Sequence, residues 1–304
     1  YILMTKTNFY HPKFLPTWLM MLLMLIGSKL PFNVQVFIGK YTGRILYRIM
    51  SRFRKIATIN ISNCFPQKNR YQIEHLVKQN FEAIGISFFE TADAFFASNK
   101  KIEKKSTINN QHYLTDALEN GQGVILLSGH FMPLMLGGRV LLLMHTIANI
   151  YRPQNNKLFD EIMRKRFIKN GALMIKTKDI KSMIKALKSG MPIWYAPDQD
   201  FGEQNSVFAP FFNIPTATLN ATSRLASIPN TKVIPFLFSR TSSGYELTFE
   251  RPIADYPNEN EVENATKTNK ILQSQILKAP EQYLWIHRRF KTRKKDDPSY
   301  YEGI

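Results

Sequence analysis

Cysteine is almost missing from this chain: Cys64 is the only one in 304 residues. That excludes an intramolecular disulfide and any multi-cysteine metal site, and it suits a reducing compartment. Negative charge is also scarce. Asp and Glu number 23 against 41 Lys and Arg, a formal net charge of +18. Such a field favours anionic partners, whether nucleic acid, an anionic membrane face or an acidic protein. Short catalytic signatures are lacking as well: there is no P-loop, no Gly-x-Gly-x-x-Gly, no Gly-x-Ser-x-Gly elbow and no His-Glu-x-x-His. The six histidines are scattered, which argues against a metal site, and no nucleic-acid-binding module is recognisable. Ser128 and Cys64 lack any activating motif for covalent catalysis.

What is there begins with Phe14–Ser28, FLPTWLMMLLMLIGS, uncharged until Lys29. It is short of the roughly 20 residues of a full span, so spanning and interfacial anchoring both remain open. Lys40, Arg44, Arg48 and Arg52 follow at four-residue spacing beside Tyr41, Ile45 and Ile49. A basic amphipathic helix directly after an apolar segment fits a membrane surface, and the basic bias puts the body of the protein on the cytoplasmic side. The reading is a membrane anchor, expected as a transmembrane helix, with a basic interfacial helix over residues 1–56. An α/β domain follows over 57–304.

Farther on, strands alternate with helices, the pattern of a mainly parallel central sheet flanked by helices. Strands are expected over Gly123–Ser128, Ile147–Tyr151, Pro192–Ala196, Lys232–Phe238 and Tyr245–Glu250. Helices are expected over Leu134–Met144, Leu158–Asn170, Asp179–Ser189 and Glu261–Lys278, and a lysine-rich surface turn over Lys100–Lys105. Polar residues then gather at the carboxyl ends of three strands: His130, Arg152, and Asp198 with Asp200. In open α/β sheets that edge carries the ligand crevice. A base, a cation for an oxyanion or phosphate, and acids to orient them fit acyl transfer or ester hydrolysis.

Several stretches, in order along the chain, resemble the lipid A late acyltransferases of the lysophospholipid acyltransferase-like superfamily. They include Ala57–Pro66, Ser128–Phe131, Ile150–Asn156 with Asp160, Trp194–Gly202, and Ala279–Arg293, which reads APEQYLWIHRRFKTR. The resemblance implies an enzyme at the cytoplasmic face of the bacterial inner membrane. It would move a fatty acyl chain from acyl carrier protein to a hydroxyl of a lipid A precursor, with no cofactor and no metal. An acidic carrier, a phosphorylated lipid and an anionic membrane account for the charge; nucleic acid does not enter. His130 is the general base. Arg152 would stabilise developing negative charge or bind a phosphate. Asn156 and Asp160 support its loop or the substrate, Asp198 and Asp200 hold the crevice, and Arg164 and Arg166 lie on a helix that docks lipid phosphates or carrier, or is simply solvated.

One position departs from the family. Its signature places an acid five residues after the histidine, and here that residue is Met135, with no Asp or Glu between Glu119 and Asp160. A thioether neither fixes an imidazole tautomer nor stabilises an imidazolium. The expectation is an impaired enzyme, with a loss on the order of 10²–10⁴. Met135 is then an introduced substitution, a natural divergence, or a site rescued by Asp198 or Asp200. The alternative function is a catalytically inactive acyl-lipid or acyl-carrier binding protein of the same fold.

Overall fold

The computed structural model describes residues 8–204, 206–295 and 297–304. It opens with helices α1 (Leu15–Gly27), α2 (Phe32–Ile49), α3 (Ser51–Cys64), α4 (Arg70–Phe96) and α5 (Asn99–Lys105). Helix α1 buries one narrow stripe, Thr17, Met21, Met24 and Gly27, at the three- and four-residue spacing of a helix face. Most of its other apolar side chains point outward, with Leu19, Leu22, Leu23 and Ile26 each more than half exposed.

Helix α2 lies against α4 with almost no side chain between the backbones. A methyl on Gly85 would sit 2.0 Å from the Gly39 carbonyl oxygen, and one on Gly43 would sit 2.2 Å from that of Phe81. Only glycine permits this approach. Lys40, Arg44 and Arg48 are on the exposed side of α2, and Arg44 pairs with Glu82 at 2.6 Å. The basic stripe does not run unbroken, because the chain bends at Met50 (φ −93°, ψ 58°) and Arg52 belongs to α3. Residue 56, the expected boundary, falls inside α3.

No helix among the described residues is long and apolar enough to cross a membrane. The transmembrane helix expected from Phe14–Ser28 is replaced by the 13-residue α1, about 20 Å long against roughly 30 Å of hydrocarbon. The expected lysine-rich turn is helix α5, capped by the Ser98 side chain on the Lys101 amide.

The α/β body continues with β1 (Ser106–Asn109), α6 (His112–Glu119), β2 (Gly123–Leu127), α7 (Leu134–Met144), β3 (Ala148–Tyr151), α8 (Lys157–Lys169), β4 (Leu173–Lys176), α9 (Ile180–Lys188) and β5 (Ile193–Tyr195). It closes with β6 (Ser206–Phe211), β7 (Ile214–Leu219), α10 (Ala221–Ala226), β8 (Thr231–Arg240), β9 (Tyr245–Phe249) and α11 (Glu261–Lys278). Seven strands form one sheet in the order β1-β9-β8-β2-β5-β3-β4. From β8 to β4 every neighbouring pair is parallel; β9 runs antiparallel to β8, and β1 runs parallel to β9. The mainly parallel sheet flanked by helices is therefore present.

Strand β2 shows why it is central. Val124 and Leu126 enter the core on one face, Ile125 and Leu127 the core on the other, and none is exposed. A third core joins α3 and the start of α4 to the β6–β7 hairpin and the C-terminal segment through Ile61, Phe81, Phe211, Trp285 and Phe290. That hairpin was not expected. Its two turn residues, Phe212 (φ 49°) and Asn213 (φ 63°), adopt left-handed conformations without the glycine that usually announces such a turn.

Candidate active site

Register explains how the site assembles. Strands β2 and β5 are parallel neighbours with Leu127 opposite Tyr195. Three residues past each partner stand His130 and Asp198, so the sheet delivers both to one edge. Asp198 then grips the histidine twice. Its Oδ1 lies 2.5 Å from His130 Nδ1, and its Oδ2 accepts the His130 backbone N–H at 2.8 Å. Asp198 is 1% exposed, whereas a quarter of the His130 side chain reaches solvent.

This pairing sets both ionisations. Burial pushes the Asp198 carboxyl up, but the His130 charge and hydrogen bonds, together with the Tyr283 hydroxyl, hold it down at about 2. Burial likewise opposes a charged His130, and the Asp198 carboxylate outweighs it, raising the imidazole above its usual value. With Nδ1 engaged by a carboxylate, Nε2 is the nitrogen left to exchange a proton with a ligand. An oriented imidazole beside a buried carboxylate is the working unit of a general base.

Met135 takes no part in this. It is the second residue of α7, half-buried and packed against the core that contains Leu136 and Val140. The place of the motif acid is thus held by a hydrophobic side chain, and the partner of His130 comes from the loop after β5.

The other expected residues are not gathered around His130. Asp200 is 7% exposed, and its carboxylate accepts from the Thr292 amide (2.7 Å), the Thr292 hydroxyl (2.7 Å) and the Gly202 amide (2.9 Å). It closes its own loop onto the C-terminal segment. Arg152 follows β3 at the same sheet edge, two strands from β2, with an exposed side chain. Asn156 caps α8 by accepting the Leu158 and Phe159 amides and donates to Thr17 of α1 at 2.7 Å. Asp160 accepts the Gln154 amide at 2.8 Å. Both therefore shape the Arg152 loop. Arg164 pairs with Glu161 at 2.9 Å, and Arg166 lies over the Phe96 ring at 4.6 Å.

Two further residues, both in the Ala279–Arg293 stretch to which the sequence assigned no chemistry, lie near the site. Tyr283 is buried beside the His130 loop, its ring edge-on to Phe131 at 5.6 Å, and His287 Nε2 accepts the Asp200 amide at 3.1 Å. His287 is held below its usual value, chiefly by burial, and so stays neutral in that role. Cys64, the one free thiol, is buried and pushed far up by desolvation, which leaves it inert.

The sequence model of the bacterial lipid A biosynthesis acyltransferases matches residues 3–292. The lipid A biosynthesis palmitoleoyltransferase of Escherichia coli K12 is 34% identical over 297 residues, covering 97% of both chains. The lauroyltransferase of the same organism is 34% identical over 299 residues, covering 97% of this chain and 98% of its own. A lipid A biosynthesis acyltransferase of Haemophilus influenzae is 34% identical over 304 residues, covering 98% and 97%. With a match across its whole sheet and both loops that carry His130 and Asp198, the chain belongs to the bacterial lipid A biosynthesis acyltransferase family.

Proposed function

We propose that the protein transfers a fatty acyl chain from acyl carrier protein to a hydroxyl of a lipid A precursor, with His130 as general base and Asp198 as its orienting acid. The observation that carries this reading is the 2.5 Å contact between His130 Nδ1 and Asp198 Oδ1. Nε2 accepts the proton of the lipid hydroxyl as its oxygen attacks the thioester carbonyl. The tetrahedral oxyanion collapses, the C–S bond breaks, and the leaving thiolate takes the proton back from the imidazolium. Asp198 stabilises that imidazolium while it exists. Arg152, exposed at the same edge, serves the oxyanion or a lipid phosphate.

The expectation of an impaired enzyme rested on the absence of an acid within reach of His130. Asp198 meets that need from another strand, so turnover is expected with Met135 in place. The alternative, a protein that binds acyl lipid or carrier without turnover, draws on Met135 alone.

The lipid substrate calls for a membrane seat, and the surface supports one. Of the 22 large hydrophobic side chains exposed among the described residues, 15 lie between Tyr10 and Phe53. Phe37, Ile45 and Ile49 of α2 are 57–68% exposed near the exposed Lys40 and Arg48. Apolar side chains rimmed by cations match an anionic monolayer. Helices α1 and α2 then rest on the inner membrane by their exposed faces, their other faces being packed on α4, and the basic bias sets this on the cytoplasmic side.

The test incubates the purified protein, beside Met135→Glu and His130→Ala, with C12- or C14-loaded acyl carrier protein and a tetraacylated precursor, read by mass spectrometry. An added acyl mass with Met135 in place, lost in His130→Ala, is the expected result. Turnover only in Met135→Glu would restore the motif acid and rule out Asp198 as the orienting acid. Binding without turnover in all three would favour the inactive binding protein.

A further inference from the structure

Strand β2 sends alternate side chains to opposite faces of the sheet, and the two faces have different neighbours. Val124 and Leu126 share a core with Met21 and Met24 of α1 and Phe32 of α2, whereas Ile125 and Leu127 share one with Met183, Ala186 and Leu187 of α9. Helix α9 therefore covers the side of the sheet turned away from the helices assigned to the membrane. Its direction matters as well. It links the parallel strands β4 and β5, so it starts at their carboxyl edge, the edge that carries His130 and Asp198, and runs back across β5 and β2.

The outer face of this helix is cationic and unpaired. Lys181, Lys185 and Lys188 recur at four- and three-residue spacing on its exposed side, and the exposed Lys176 and Lys178 lead into it from β4. None of the five makes an ion pair with a carboxylate among the described residues. The one acid in the stretch, Asp179, caps the helix by accepting the Ser182 amide (3.1 Å) and hydroxyl (2.8 Å). Beside the lysines stand Ile180, 50% exposed, and Ile184, half-buried one turn on. Helix α8 offers nothing comparable. Its Arg164 and Lys165 share Glu161, its Arg166 lies over Phe96 of α4, and its Met163 and Phe167 pack into the core on the α1 side.

We propose that the exposed face of α9, centred on Lys181 and Lys185 with Ile180 beside them, is the docking surface for the acidic acyl carrier protein. This rests on the acyl-transfer reading, whose donor is a soluble acidic protein that holds the chain on a thioester arm. A lipid headgroup is confined to the bilayer, and α9 lies across the sheet from α1 and α2, so its lysines face a soluble partner. Lysines without carboxylates of their own leave an uncompensated field that steers an acidic protein in and orients it. An exposed apolar residue among them gives the contact a desolvated centre. The position suits the chemistry. Lys176 and Lys178 follow β4, three strand spacings from β2, or about 14 Å across the sheet. A carrier seated there delivers its thioester along the carboxyl edge to His130, while the lipid hydroxyl comes from the membrane side.

Fluorescence anisotropy of labelled, C12-loaded carrier protein titrated with the purified full chain in detergent tests this without turnover. Lys181→Glu with Lys185→Glu should weaken binding about tenfold or more, and the matching pair of glutamine substitutions by less. KM for loaded carrier should rise with Kd, while kcat and KM for the lipid stay within about twofold. Lys100→Glu with Lys104→Glu, exposed on α5 on the other side of the sheet, makes the same change in net charge and should leave carrier binding in place. Unaltered affinity in the α9 glutamate pair, or an equal loss in the α5 pair, overturns the proposal. So does loss of flotation with anionic vesicles in the α9 pair while carrier affinity holds, which would assign the stripe to the membrane. An unaltered chain that binds the carrier through α9 yet transfers nothing breaks the acyl-transfer reading and keeps the docking surface.

Discussion

Asp198→Asn is the sharpest test of the site. The carboxylate accepts from two donors of one residue, the His130 amide and Nδ1–H, one on each oxygen. An asparagine has one acceptor oxygen and one NH₂ group. If its oxygen stays on Nδ1, the NH₂ faces the His130 backbone N–H, donor against donor. If it turns, the NH₂ must donate to Nδ1, and the proton moves to Nε2, where the base is needed. Either outcome removes the productive tautomer or its support, and the comparable change in serine proteases costs about 10⁴ in kcat. We expect a loss on the order of 10³–10⁴ in kcat with a small change in KM.

Stability should fall as well. The Asp198 carboxyl sits at about 2 in the folded protein, and a depressed acid contributes stability that is present above its unfolded value and lost as pH falls through the folded one. A gap of about two units from the ordinary carboxyl is worth roughly 2–3 kcal/mol at neutral pH. Thermal unfolding in detergent at pH 7 should therefore show a melting temperature lower by several degrees, and the difference should shrink below about pH 4. In a His130→Ala background the substitution should cost less, because the partner is already gone. If Asp198→Asn keeps its activity within tenfold of the unaltered chain, the dyad reasoning is refuted.

Other outcomes follow from the same geometry. The acidic limb of kcat/KM should lie above the ordinary imidazole value near 6.5, since the Asp198 charge raises His130; a pH-rate profile with loaded carrier protein checks it. Cys64→Ala should leave turnover unchanged, and native protein should resist alkylation, because the thiol is buried and un-ionised. Arg240→Met strands the buried Glu90, its partner at 2.5 Å, and should cost about 3–5 kcal/mol in denaturant unfolding without altering the residual folded enzyme's KM. Gly85→Ala should cost about 3 kcal/mol or more, because its methyl would fall 2.0 Å from the Gly39 carbonyl oxygen and force α2 off α4. Replacing Leu22, Leu23 and Phe37 together by Ser should abolish flotation with anionic vesicles, since these side chains are 51–61% exposed on the apolar face.

Local pattern determined a good deal of this protein. Leu134–Met144 and Glu261–Lys278 are helices over the residues the sequence periodicity marks, and the apolar run of β2 is as buried as its composition requires. Polarity at the strand ends located His130 and Asp198, because a parallel sheet puts those ends on one edge. Other features had no local signal. The edge strand β4 is four residues long and half open to solvent, and the hairpin turn at Phe212-Asn213 hides its left-handed conformation in ordinary residues. Exposed apolar residues in α1 look the same in sequence whatever they face; the helix's 13-residue length and its packed Met21–Met24–Gly27 stripe come only from the structure.

The site divides in the same way. Sequence spacing located the departure at position 135, because the motif is a fixed spacing from His130. Which acid meets His130 depends on the register between β2 and β5, and on whether a carboxylate is spent elsewhere. Asp198 and Asp200 are two residues apart and chemically identical; tertiary structure gives one to His130 and the other to Thr292. Tyr283 stands far along the chain from Phe131, and only the folded chain bridges the two. Short-range patterns are written into the sequence because they act through local geometry, whereas the partner of a buried charge is chosen by which distant backbone the core packs beside it.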